Sequence, residues 1–479
     1  MIETKKPISL SIAILPLAIL IFLLSINVFI FKDDALEGSN QLILLFGAAI
    51  GYFIGYKQKV AYSQMLSKIG DNLKSATGAI LILLFVGALA GTWLISGIIP
   101  AMIYYGLKII NPSLFLPSCI FISAIVSIST GSSWSTSATI GIAMIGIGKA
   151  LGIDPAIVAG AVISGSYFGD KLSPLSDTTN LAAAMSGSNL FDHIKYMLYT
   201  TLPSIILTII FFFILGFNLD ISDSKDSTDI IKNIEQTFNI NYLLFIVPIL
   251  IIYLIIKKTP PLISLIIGSF LGGIFALIFQ PSIILEITNS NELNFKSAYM
   301  GIINSMTVFT EIKTENEILN NLFQSGGMKG MLGTIWLIVC AMAFGGVMEA
   351  IGALKSITDN LLKIVKSNFG LVFNTSLSCI TINLTASDQY LSIIIPGKMF
   401  AKTYKKKNLV PVNLSRTLED TGTVTSALIP WNTCGAYHSG VLGVSVTDYL
   451  FFSVFNLISP IMTLIYSYFN LKIKKSKIH

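Results

Sequence analysis

The chain is 479 residues long, 53% apolar and only 12% charged, with a mean hydropathy of +0.76. A soluble globular chain carries roughly 25% charged residues, so this composition cannot build a water-exposed surface. The net charge of +6 points to no nucleic-acid partner, because in such a chain the placement of the lysines carries more information than their sum. Apolar runs recur from end to end without a polar stretch of domain size, which makes the lipid bilayer the partner and an all-α polytopic membrane protein the fold class.

In chain order, the first apolar stretch follows Lys5 and Lys6 as a signal peptide would, but it is too long and lacks a small-residue cleavage site, so it reads as an uncleaved first span. Apolar segments 8–31, 41–56, 78–106, 194–218, 242–257, 261–280, 330–352 and 447–470 are plain spans. Lysine clusters at 5–6, 57–74, 195, 257–258, 355–366, 398–407 and 472–477 alternate with acidic loops at 33–37, 220–235 and 286–317. Putting the lysines inside makes both termini cytoplasmic and the protein a multi-pass component of the cytoplasmic membrane. Two apolar arms, 370–384 and 389–400, then lie between cytoplasmic lysines and must form a re-entrant hairpin with its tip at Thr385-Ala386-Ser387-Asp388. By the same logic 115–130 and 137–150 form a hairpin from the opposite face, with its tip at 131–136. The crossings 156–193 and 409–446 are interrupted by polar runs, 169–180 and 419–432, and read as discontinuous helices. The expectation is about ten crossings in two inverted structural repeats, 1–218 and 241–479, joined by an external linker over 219–240.

Six acids fall inside the expected membrane: Asp170, Asp177, Glu349, Asp388, Glu419 and Asp420. At a helix centre each costs about 2.5–3.5 kcal/mol, on the order of 15 kcal/mol together, which pairing, protonation or bound cations must offset. Only Lys171 and Arg416 lie at comparable depth, so most of the acids are expected to bind protons or metal cations. Asp177 and Glu349 read equally well as packing or ion-pair residues. Arg416 lies one turn before Asp420 and beside Glu419, and Lys171 lies beside Asp170, so local salt bridges are an alternative. Hydroxyls at the tips and breaks suit hard cations. His193 reads as a solvated rim residue, and His438 as either a packed histidine or a proton relay. Trp134 and Trp431 read as packing residues. The cysteines Cys119, Cys340, Cys379 and Cys434 sit in apolar segments and form no metal knuckle or disulfide framework. No enzyme motif occurs.

Three stretches, GSSWSTSATIGIAMIGIG (131–148), SGSYFGDKLSPLSDTTNLAA (164–183) and LEDTGTVTSALIPWNTCGAY (418–437), make the chain resemble the NhaC-type sodium/proton antiporter family. The first departs from that family's GTSWGT form at Ser132 and Ser135. The resemblance implies sodium export against protons, with no cofactor beyond the transported sodium ions and protons. With the topology, it places the site among Ser133, Ser135, Asp170, Asp177, Thr178, Asn180, Ser387, Asp388, Glu419, Asp420 and Asn432, with Asp170, Asp388 and Glu419 as the sodium ligands. Some members are similar to malate/lactate antiporters, so organic-acid exchange assisted by Arg416 and Lys171 is the alternative. A channel is the rival of another class. Stoichiometry and a homodimer are left open by the sequence.

Overall fold

The computed structural model describes residues 8–31, 35, 38–109, 111–219, 224–314, 317–363 and 365–476. Several charges used to orient the chain, including Lys5, Lys6, Asp33, Asp34, Glu37, Asp220, Asp223 and Lys477, lie outside these residues. The first half opens with α1 (Leu10–Phe31), α2 (Ser39–Lys57) and α3 (Tyr62–Ile95). The single span expected over 78–106 is in fact two helices. α3 starts sixteen residues earlier and carries much of the lysine cluster on its first turns, and the chain then turns at Gly97 into α4 (Ile98–Ile109). Gly97 has φ +80°, and a Cβ there would lie 2.5 Å from Gln280 Nε2, so only glycine makes the turn without strain.

The first hairpin is α5 (Phe115–Thr130), the tip, and a continuous run of α6 (Ser133–Thr136), a π-helical turn (Ser137–Gly141) and α7 (Ile142–Ala150). The broken crossing follows as α8 (Pro155–Leu172) and α9 (Asp177–Ser186), and α10 (Leu190–Asn218) closes the half. The expected linker contains a helix, α11 (Ser224–Thr237), bent by 88° from the span that holds α12 (Ile246–Ile256). Its Glu235 is held by Tyr104 and Lys108 of α4, which gives it a packing partner that a linker would lack.

After α13 (Pro261–Phe279) come α14 (Pro281–Thr288), α15 (Phe295–Thr307), β1 (Thr310–Glu311), α16 (Glu317–Leu322), β2 (Gln324–Ser325) and α17 (Gly327–Gly330). β1 and β2 pair antiparallel, with Thr310 opposite Ser325. The rest is α18 (Leu332–Ala350), α19 (Ala353–Lys363), the second hairpin α20 (Asn368–Thr385) and α21 (Gln389–Lys406), the second broken crossing α22 (Val412–Leu418) and α23 (Thr433–Leu442), then α24 (Val446–Tyr449) and α25 (Val454–Tyr468).

Among the described residues, seven helices are long and apolar enough to span a bilayer, and two bent pairs qualify as one span each. One of the seven contains α5 and is a hairpin arm. The other six, the spans containing α12 and α25, and the two broken crossings make ten passages. The broken crossings do not qualify by themselves, since their breaks leave segments such as α9, α22 and α23 of only 10, 7 and 10 residues.

α10 fixes the direction of the hairpins. Near its start, Tyr196 donates to Asn413 Oδ1 (2.6 Å), close to the open end of the second hairpin. Near its end, a Cβ on Gly216 would lie 2.8 Å from Ser113 O, at the open end of the first. Twenty residues of helix separate those points, about 30 Å, so the hairpins enter from opposite faces and their tips meet between.

The site is positioned by close backbone approach. Gly165 and Gly169 of α8, spaced four apart, face Ile120 O and Ala124 O of α5, and a Cβ on either would lie 2.4 Å from that oxygen. Small residues at this spacing let membrane helices touch without a hydrophobic drive. Replacing Gly165 by Leu is expected to cost about 1–3 kcal/mol through overpacking. A drop in the melting temperature of the detergent-solubilised protein checks this, and an unchanged value would mean that α5 and α8 do not meet here.

Candidate ion-binding site

The chain interruptions place four capped helix starts at the centre of the molecule. Ser132 accepts from Ser135 N–H (3.1 Å) ahead of α6, and Ser176 from Thr179 N–H (3.4 Å) ahead of α9. Asp388 accepts from Leu391 N–H (2.9 Å) ahead of α21, and Asn432 from Cys434 N–H (3.1 Å) ahead of α23. These side chains replace the carbonyls missing from a first turn, and each helix start carries a partial positive charge.

Between them lies a cavity of about 230 Å3, walled by the first tip, Asp170, Asp177, Thr178, the second tip and the small residues Ser75, Gly78 and Ala79 of α3. Its lining holds three carboxylates, Asp170, Asp177 and Asp388, and no lysine, arginine or histidine. Each carboxylate is tied to a helix start. Asp170 Oδ2 accepts from the Ser133 N–H (3.1 Å) and hydroxyl (2.7 Å), Asp177 is the first residue of α9, and Asp388 caps α21. Besides the protons or cations expected for the acids left over from Lys171 and Arg416, helix dipoles supply part of the balancing charge.

Glu419 lies behind the cavity wall. Its Oε1 accepts from the Thr178 hydroxyl (2.9 Å), which also lines the cavity, while Oε2 has no hydrogen-bond partner among the described residues. Asp420 belongs to a separate, fully buried cluster in which Lys171 donates to it at 2.5 Å, Thr200 at 2.7 Å and Thr463 also donates, with Ser459 accepting from Lys171 at 3.0 Å. The pair Lys171–Asp420 thus replaces both local salt bridges expected from sequence, because α8 and the π-helical turn Glu419–Thr423 face each other across the repeats. Arg416 has no acidic partner among the described residues. It is buried against the Tyr196 ring (4.6 Å), with no hydrogen bond from any of its three nitrogens among the described residues. Glu349 leaves the list of candidates, since it pairs with Lys68 at 2.8 Å and both are partly exposed.

The remaining expected residues divide. Ser133 and Ser135 line the cavity. Ser387 sits at the second tip with φ +60°, its carbonyl accepting from Thr433 N–H (2.9 Å). Asn180 faces outward and donates to Pro174 O and Ser176 O, and Asn432 donates to Asn383 O, so both serve the unwound backbone. His193 is buried rather than solvated, and His438 packs among Tyr167 and Tyr437. No group of three His, Cys, Asp or Glu side chains among the described residues is close enough to share one metal ion, so Asp170, Asp388 and Glu419 do not converge in this conformation. Sequence reasoning missed the α3 wall, whose signal is the small run Ser75-Ala76-Thr77-Gly78-Ala79 in an apolar span, and Thr433, which carries none.

Residues 165–471 match the Na+/H+ antiporter family, and the chain is 36% identical over 475 residues to the Na+/H+ antiporter NhaC of Alkalihalophilus pseudofirmus, covering 99% of this chain and 98% of that one. The chain belongs to the Na+/H+ antiporter family. Similar relatives include the malate-2H+/Na+-lactate antiporter of Bacillus subtilis, 36% identical with 97% and 96% covered, and the arginine/ornithine antiporter ArcD of Halobacterium salinarum, 33% identical with 96% and 92% covered. Family membership gives the Lys171–Asp420 cluster its context, a charge pair that joins the two halves of an antiporter. Lys171→Met alone should destabilise by about 3–5 kcal/mol by leaving a buried carboxylate unpaired. Lys171→Met with Asp420→Leu should recover most of that in a thermal-shift assay, and a double variant no better than the single one would refute the pairing.

Proposed function

We propose that the chain exchanges sodium ions for protons by competitive occupancy of the cavity lined by Asp170, Asp177 and Asp388. The observation that carries this reading is the lining itself, three carboxylates and several hydroxyls with no basic side chain. Oxygen-only donors suit a hard monovalent cation, and the same carboxylates accept protons. Burial in a low-dielectric site disfavours a bare charge, so entry of sodium displaces protons and protonation displaces sodium. The cavity shares Gly131, Ser132, Asp177 and Pro261 with a second space of about 430 Å3 that reaches Lys258 at the α12–α13 turn. With the lysine-rich face taken as cytoplasmic, the site in this conformation opens to the cytoplasm.

The organic-acid alternative loses its proposed helpers, since Lys171 is neutralised by Asp420 and Arg416 lines neither space. A carboxylate substrate would also compete with Asp170, Asp177 and Asp388 for the helix starts. Reconstituted into liposomes, the chain should move protons in response to a sodium gradient. Lowering the pH should raise the apparent KM for sodium with the maximal rate unchanged. Asp170→Asn should reduce exchange to the level of empty liposomes while the protein stays monodisperse. Flux driven by malate or lactate without response to sodium would overturn the reading, and near-normal exchange by Asp170→Asn would remove that residue from the site.

A further inference from the structure

A third cavity, about 780 Å3 in volume, lies on the far side of the site from Lys258. Its wall includes Asp154 at the start of α8, Thr334 near the start of α18, and Ala436, Ser439 and Gly440 of α23. Both α8 and α18 begin on the face opposite the lysine-rich turns. α23 runs from one space to the other, since Thr433 lines the carboxylate cavity and Ala436, one turn later, lines the large one.

A stacked aromatic pair joins the smaller space to the helix that lines the larger one. The indole of Trp134, on the first hairpin tip, also lines the carboxylate cavity. It stacks on the ring of Tyr437 with centroids 4.2 Å apart and planes 15° from parallel, and the Tyr437 hydroxyl donates to Trp134 O at 3.1 Å. Trp134 belongs to the first repeat and Tyr437 to the second. Stacked aromatics seal a passage with a large, dry and nearly rigid surface. The neighbouring packing is also close, for a Cβ on Gly141 of the π-helical turn would lie 2.8 Å from Leu442 of α23.

We propose that the 780 Å3 cavity is the entrance of the ion pathway from the opposite face, and that Trp134 and Tyr437 form the partition closing it off from the carboxylates in this conformation. The proposal rests on that carboxylate cavity being the transport site. Movement of one half against the other slides α23 past the first hairpin tip, unstacks the pair, and joins the hydrated entrance to Asp170 and Asp388. The pair therefore sets coupling. A chain lacking the stack opens the site to both faces at once and conducts its ion without the counter-ion.

The test is side-specific thiol labelling of the full chain in right-side-out and inside-out vesicles, with a membrane-impermeant maleimide. The four native cysteines are buried, and Cys434, next to the partition, is replaced by Ala in every variant. Ser439→Cys should react from one face only and Ala79→Cys from the other only. Adding Trp134→Ala should let the Ala79→Cys thiol react from both faces, with the rate from the previously blocked face rising about tenfold. Trp134→Phe, which keeps a ring for Tyr437, should stay one-sided and so controls for misfolding. Labelling of Ser439→Cys and Ala79→Cys from the same face would overturn the proposal, as would one-sided labelling of a monodisperse Trp134→Ala variant. The labelling does not depend on which ion is carried. Absence of sodium-driven proton flux alongside the expected labelling would sink the proposed exchange and leave the partition standing, and the reverse pattern would do the opposite.

Discussion

The centre of the molecule depends on the pairing of free helix starts with carboxylates. A helix that begins at depth in a bilayer exposes N–H groups that lipid cannot satisfy, at several kcal/mol each. A carboxylate at that depth is costly for the converse reason. Placing Asp170 on the Ser133 N–H and Asp388 on the start of α21 lets each liability offset the other. The cavity can then hold several acids without a basic side chain, which leaves their remaining oxygen valences directed at whatever enters it.

The carbonyl ends created by the same breaks need donors, and the second half supplies them from side chains. Asn383 donates to Gly422 O (2.7 Å), Asn456 to Val424 O (2.8 Å), Tyr449 to Ala427 O (2.8 Å) and Trp431 to Leu384 O (2.8 Å). These bonds tie the unwound stretch of the second crossing to the adjoining hairpin and to α25. In the first half, Asn180 and Thr179 do similar work on Pro174 O, Ser176 O and Lys171 O. Polar residues that look in sequence like ion ligands are therefore divided between two tasks, and only those whose side chains face the cavity remain available to an ion.

That division explains what was legible beforehand. The spans, hairpins and breaks follow from local features, namely apolar run length, lysine placement and clusters of Ser, Thr, Gly and Pro, so they could be read in order along the chain. The extension of α3 below its apolar part was hidden because its first turns are polar, and the helix in the supposed linker because its partner, α4, is far away in sequence. The roles of the acids were hidden for the same reason. Lys171 and Asp420 are 249 residues apart, and no spacing rule says that they meet while Asp170, next to Lys171, lines the cavity. Adjacent residues on a helix point about 100° apart, so a polar pair read as one cluster in sequence serves two separate environments.

The two environments meet at one turn of helix. The Lys171–Asp420 cluster is fully buried and charge-balanced, and it joins α8 of the first half to the π-helical turn of the second. A buried pair of this kind is held by its mutual attraction and added hydroxyl bonds, which offset the cost of taking two charges out of water. Glu419 lies on the same turn one residue earlier, and it accepts a hydrogen bond from the cavity-lining Thr178 hydroxyl. Single π-helical turns of this kind are rare and are found frequently at functional sites. The turn that carries Glu419 and Asp420 therefore touches both environments, the cavity-lining hydroxyl of Thr178 on one side and Lys171 of the first half on the other.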